Sequence, residues 1–362
     1  MSQAKAAEYP AAASALPSSF LQRRGRVYAL LALAGLLIPV LILSVSIGSE
    51  HIPFVTTAKI VLNKLHLASY TPTWGANVET AVFDLRLPRA ILAAVGGIAL
   101  STAGATYQGL FRNPLADPYL LSIAQGAGLG AVLGFVLDFG WSGWGMGVVP
   151  MLAFAGGLAA VFLVCFFGRV GKTLPMTTLI LAGVALGAFL SAIQSYLIIT
   201  QEDLHGIWSW ILGGFSSPKW SHVHVTLPII VLGSLFICLY GRRLNVMQLD
   251  EEQAQQLGID VEKTKRVLLI AATLITAAAV SVGGLIGFVG IIVPHAVRLI
   301  WGPDYRFLLP LSAVAGAIFL VLAELLSRTA HKPEQIPLGI ITAFIGGPFF
   351  LFILRQRKRA VF

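Results

Sequence analysis

Residues 85–89 read LRLPR, residues 90–110 form an apolar run rich in glycine and alanine, residues 111–118 read FRNPLADP, and residues 120–128 read LLSIAQGAG. Two arginines stand at one end of a bilayer-length segment, and a turn bracketed by Pro114 and Pro118 stands at the other. A second apolar segment follows directly. The pattern is that of a membrane hairpin, because about 20 apolar residues carry a helix across the hydrocarbon core and proline interrupts helices.

Composition extends this reading to the whole chain. Of 362 residues, 57% are apolar and 11% charged, and the mean hydropathy is +0.83, which excludes a water-soluble globular protein and indicates an all-α polytopic membrane protein. A formal charge of +9 would suit nucleic acid. The Lys and Arg residues, however, lie in short clusters between apolar runs, where they act as topology signals, so no nucleic-acid partner is expected. Cys165 and Cys238 sit inside apolar runs without metal-ligand spacing and read as packing residues.

Residues 1–26 read as a disordered cytoplasmic tail closed by Arg23, Arg24 and Arg26. Residues 27–354 form a transmembrane domain with spans near 27–47, 88–111, 119–137, 148–167, 177–199, 223–240, 267–284, 286–300, 308–326 and 337–354. An external segment over 48–84 carries a short surface helix around Thr57 to Leu65, and residues 355–362 form a basic cytoplasmic tail. Ten spans place both termini inside, with 18 of the 25 Lys and Arg residues on that side. The joint at 267–300 is the weakest, because Gly283, Gly284, Gly287 and Gly290 blur one span into the next.

Several strings then coincide with one family. RLPRAILAAVGGIALSTAGATYQGLFRNPLADP at 86–118, LILAGVALG at 179–187, WILGGF at 210–215, AxxLG at 254–258, GxIGFVGIIVPHxxR at 284–298 and IPLGIITA at 336–343 resemble permease subunits of ATP-driven importers for iron siderophores, haem and vitamin B12. The resemblance runs from about residue 27 to 354. It implies the type II importer permease fold, a second copy of the permease in a homodimer, two ABC ATPase subunits, an external substrate-binding protein and the bacterial cytoplasmic membrane. No GxxxxGK[ST] phosphate loop occurs in the chain, so ATP and Mg belong on the separate ATPase and this chain is expected to bind no cofactor or metal and to hold no catalytic residue.

Within the cytoplasmic region 244–260, Asp250, Glu251 and Glu252 open a short polar run that Gly258 ends, a pattern for a helix of about two turns on which Leu249, Gln253, Ala254 and Leu257 share a face. Such a helix is marginal alone in water. The resemblance implies that Leu249, Asp250, Glu251, Ala254, Leu257 and Gly258 couple the chain to the ATPase, and a solvated connector is the plainer reading. By the same resemblance, Asn113, Leu115, Met176 and Thr177 lie near the cytoplasmic gate, where plain turn chemistry also accounts for the first two.

Arg86, Arg89 and Arg328 stand outside at helix ends. Two roles are open to them, anchoring at the headgroups and, as the resemblance implies, docking acidic residues of the binding protein, for which a planar guanidinium is suited. Six of the seven histidines fall on the same side, where a haem importer could use some of them, although His222 and His224, two apart, would diverge on a helix; His295 reads as structural, and Glu324 is expected to pair with Arg328 one turn later. An ion-coupled transporter of a small solute is the alternative. It would need ionisable groups at the membrane midplane, and the spans lack them.

Overall fold

The computed structural model describes residues 18–48, 51–137, 145–201, 204–215, 217–331 and 334–359. The tail up to residue 17 and Lys332 lie outside the described residues. In chain order the helices are α1 (Ser18–Ser46), α2 (Phe54–Lys64), α3 (Ala76–Thr80), α4 (Leu87–Leu110), α5 (Ile123–Leu137), α6 (Val148–Gly168), α7 (Met176–Ile199), α8 (His205–Ile211), α9 (Trp220–Leu239), α10 (Gly241–Val246), α11 (Glu251–Gln256), α12 (Val261–Gly283), α13 (Val289–Trp301), α14 (Tyr305–Thr329) and α15 (Leu338–Arg359). A π-helical stretch, Ala81–Arg86, joins α3 to α4 without a break.

Seven of these helices are long and apolar enough to cross a membrane, and α5, α13 and α15 are shorter apolar helices that coincide with the three remaining expected segments. The first span differs from expectation: α1 begins at Ser18, so Arg23, Arg24 and Arg26 lie on its first turns instead of in a disordered tail. At the other end, α15 runs on through Arg355 to Arg359.

The blurred joint at 267–300 is two helices separated by residues 284–288. Irregular backbone at membrane depth needs internal partners, because lipid supplies none. Tyr119 supplies them here: its hydroxyl donates to the Ile286 carbonyl at 3.0 Å and accepts from the Ile286 amide at 3.1 Å. The Gly214 amide donates to the Gly283 carbonyl at 2.8 Å. The WILGGF string is thus joined through its backbone to the residue just before GxIGFVG, and IPLG joins WILGGF where the Leu338 and Gly339 amides donate to the Gly213 and Leu212 carbonyls at 2.9 and 3.1 Å.

The centre of the bundle is α4, which packs against α14, α12, α13 and α9. Its span is buried over 89% of its most apolar window, against 22% for α1. Small residues account for the difference. A methyl group at Gly97 would land on the Gly316 backbone of α14, and one at Gly104 on the Gly290 backbone of α13. Without a hydrophobic drive between helices in lipid, such close approach is what associates them. The Tyr107 hydroxyl, buried on the same helix, bonds Thr273 of α12 at 3.1 Å.

Replacing Gly104 with valine is therefore expected to destabilise the purified chain by about 1–3 kcal/mol through overpacking. Gly35 of α1, which has nothing within 4 Å of an added Cβ, is the control. Thermal unfolding in detergent should shift for Gly104→Val and hold for Gly35→Val; equal shifts would remove the close-packing account.

Candidate functional site

The chain from Arg86 to Arg112 carries the candidate site at both ends of α4. At the first end, helix α1 stops at Ser46 and leaves its last carbonyls without intrahelical partners. Arginines supply them. Arg86 donates through one Nη to the carbonyls of Val45 and Ser46 at 3.1 and 3.2 Å. Arg328, in the last turn of α14, donates to the carbonyls of Ser44 and Ile47 and to the Ser44 hydroxyl. Cations at a helix C-terminus also complement its dipole.

Glu324 holds this arrangement. Its side chain is 1% exposed and lies 3.0 Å from Arg328 Nε through one oxygen and 2.6 Å from Arg89 Nε through the other. The first contact is a hydrogen bond. The second is an ion pair whose N–H points off the line of contact. Arg89 reaches further, to the Gln335 side chain at 2.7 Å, on the rim of a cavity of about 600 Å³ also lined by Trp208, Phe215 and Pro337. The expected pairing of Glu324 with Arg328 is present, and Arg89 joins it from a helix distant in sequence.

At the opposite end, α11 has six residues, close to the expected two turns, and its ending is a complete Schellman motif. Gly258 takes φ +82°, its amide donates to the Gln255 carbonyl at 2.9 Å, and the Ile259 amide donates to the Ala254 carbonyl at 3.1 Å. The expected shared face does not form. Ala254 is 0% exposed against the chain itself, whereas Leu257 is 63% and Leu249 44% exposed. Packing against the bundle takes the small residue and leaves both leucines outward.

Two polar ties run from this short helix to the segments expected near the gate. In the first, Arg112 donates to the Met247 carbonyl at 2.9 Å and lies 3.6 Å from Asp250, while the Gln248 side chain donates to the Gly109 carbonyl at 3.1 Å. Arg112 opens the turn in which the Asn113 side chain accepts from the Leu115 amide at 3.0 Å. The second tie passes through Lys265, whose side chain is 3% exposed and lies 2.7 Å from Glu251 and 3.1 Å from Glu262. Glu262 in turn accepts from the Leu174 amide at 2.9 Å, immediately before Pro175, Met176 and Thr177 at the start of α7.

A third contact steadies the same end. Asn245 of α10 donates to Asp304 at 2.6 Å and accepts from the Tyr305 amide at 2.8 Å. Burial alone would push the Asp304 carboxyl up; the bonds from Arg306 and Asn245 outweigh it and hold it down at about 2. His295 packs edge-on against Phe349, joining α13 to α15. Among the described residues, no group of three His, Cys, Asp or Glu side chains gathers closely enough to hold a metal ion.

Sequence reasoning missed Arg89–Glu324 and the bridge through Lys265. Both join residues far apart in the chain or read as members of a charge cluster, and no local spacing marks them.

Removing one partner of a buried ion pair leaves uncompensated charge, at a cost of about 3–5 kcal/mol. Glu324→Gln should therefore lower stability strongly, and adding Arg89→Gln should restore part of the loss. Thermal unfolding of the two single variants and the double variant measures this coupling; additive losses would show that Arg89 and Glu324 act independently.

Comparison with known proteins then places the chain. The FecCD transport family profile matches residues 36–356. The permease YvrB of Bacillus subtilis is 44% identical over 324 residues, 88% of this chain and 91% of that protein. The cobalamin import permease BtuC of Halobacterium salinarum is 43% identical over 338 residues, 92% of this chain and 89% of that protein. The hemin transport permease HmuU of Yersinia pestis is 37% identical over 306 residues, 80% and 89% of the two chains. A metal-chelate type ABC transporter solved in an inward-facing conformation superposes with a TM-score of 0.74 at 29% identity, covering 90% of this chain and 98% of that one. With ten apolar helices among the described residues, α4 buried at their centre, and a match along nearly its whole length, the chain belongs to the FecCD transport family of ABC importer permeases.

Proposed function

We propose that this chain is one of two identical permease subunits of a binding-protein-dependent importer that moves a bulky metal chelate into the bacterial cytoplasm. Both termini and α11 face the cytoplasm, and two ATPase subunits, holding ATP and Mg, seat on α11. The charge bias and the even number of apolar helices support that orientation. Ferric siderophore, haem and cobalamin are the candidate chelates. Cobalamin is the first to test, since a cobalamin permease is matched at 43% identity over 92% of the chain.

The observation that carries this reading is α11. Six residues cannot hold a helix in water without packing, yet this one is capped, anchored inward by Ala254 and tied to both expected gate segments while it presents Leu249 and Leu257 outward. Movement imposed on the leucines by an ATPase would pull on residues 109–115 through Arg112 and Gln248, and on 174–177 through Lys265 and Glu262. At the arginine end, Arg89 and Arg328 share the one carboxylate of Glu324 while Arg86 caps α1, which leaves a net positive charge toward an acidic binding protein. Arg86 and Arg328 cap α1 as well, so for these two side chains docking and capping coincide.

Coupling is tested with Leu249→Asp/Leu257→Asp, which should insert and unfold like the parent but lose co-purification of the ATPase. Retained ATPase with retained uptake would reduce α11 to a connector. Docking is tested with Arg89→Gln/Glu324→Gln, which keeps the net charge of the cluster. Affinity for the binding protein at low salt should fall about tenfold, a single charge-assisted contact being worth about 1.5–3 kcal/mol; unchanged affinity would assign Arg89 to structure alone.

A further inference from the structure

We infer that the groove between α6 and α12, at the α11 end of the bundle, is a binding site for one anionic phospholipid, with an acyl chain along the groove and the phosphodiester among Arg169, Lys172 and Arg266. The groove has a volume of about 400 Å³ and is apolar along its length. Its α6 wall carries Phe162 and Phe166 and its α12 wall Ile270, all three exposed. From Leu158 to Arg169 that wall rises ~16 Å, half of the ~30 Å hydrocarbon core and so one leaflet deep.

The three cations stand together at one mouth of the groove and are exposed. Arg169 and Arg266 donate through Nε to backbone carbonyls, those of Gly171 and Glu262, and among the described residues none of the three forms an ion pair with a carboxylate. Glu262 reaches the same mouth through the Leu174 amide, but its charge is met by Lys265. An apolar slot ending in unpaired cations matches an amphiphile with an anionic head. Free phosphate would leave the aromatic wall uncovered, and an acidic peptide would leave the slot empty. Basic pockets between membrane helices at the cytoplasmic face recognise anionic headgroups by this chemistry.

The test is native mass spectrometry of the purified full-length permease titrated with palmitoyl-oleoyl phosphatidylglycerol or the matching phosphatidylcholine. The parent should bind phosphatidylglycerol about a hundredfold more tightly, and Arg169→Gln/Lys172→Gln/Arg266→Gln should abolish the preference, at roughly fivefold per cation. Ile270→Trp, which fills the slot and spares the cations, should weaken both lipids without changing the number of protomers. Inorganic phosphate at equal concentration should not displace the lipid. Equal binding of the two lipids by the parent, a preference that survives the triple variant, or displacement by phosphate would overturn the assignment. So would a change in protomer number for Ile270→Trp with lipid binding intact, which would make the groove a contact between copies. Should the triple variant fail to insert, Lys172→Gln in the connecting loop should lower the preference about fivefold, and an unchanged preference there counts against the site.

Discussion

Where Gly104 of α4 faces Gly290 of α13, and Gly97 faces Gly316 of α14, no side chain separates the backbones. Lipid tails are as apolar as leucine, so helices in a bilayer gain little by hiding leucine from lipid and associate through close packing and polar contacts. The buried position of α4 follows from this constraint, and the position of everything attached to its ends follows from α4. A helix of 24 residues spans ~36 Å. It carries Arg89 in its first turn and Arg112 just past its last, so a rigid rod connects the arginine cluster with the ties to α11.

Buried charge is placed in this bundle where it satisfies backbone or other charge. Arg86 and Arg328 cap the carbonyls at the end of α1, Glu324 neutralises part of the arginine charge, and Lys265 joins Glu251 to Glu262. Both buried clusters lie at helix ends. The middle of α4 carries only the hydroxyls of Ser101, Thr102 and Thr106, of which Ser101 and Thr106 bond carbonyls of their own helix, and its polar ties to neighbours come in the last turn, Tyr107 on Thr273 and Gln108 on the Gly290 carbonyl at 3.3 Å. That distribution suits a passive conduit opened and closed from outside the membrane, in contrast to a transporter that loads and releases a driving ion at midplane.

Much of this was legible in the sequence because membrane length and glycine content are local signals. The ten segments, the short surface helix α2 and the glycine ending α11 follow from runs and caps within one stretch of chain. The π-helical lead into α4 and the break at 284–288 were not legible, since each depends on contacts from elsewhere, Tyr119 above all for the break. The direction of Ala254 was misjudged for a similar reason: a six-residue helix has too few turns for periodicity to reveal which face the bundle covers. Of the site residues, the individual arginines stood out by type and place. Their shared carboxylate did not, because Glu324 lies more than 200 residues from Arg89 and only folding brings the two together.

Reconstitution measures the central claim most directly. Proteoliposomes containing this chain with its ATPase, supplied outside with the binding protein and radiolabelled cyanocobalamin or hemin, should accumulate ligand only when ATP is present on the ATPase side. Omitting either partner should stop uptake. Accumulation by the chain alone, driven by a proton or sodium gradient, would contradict the account.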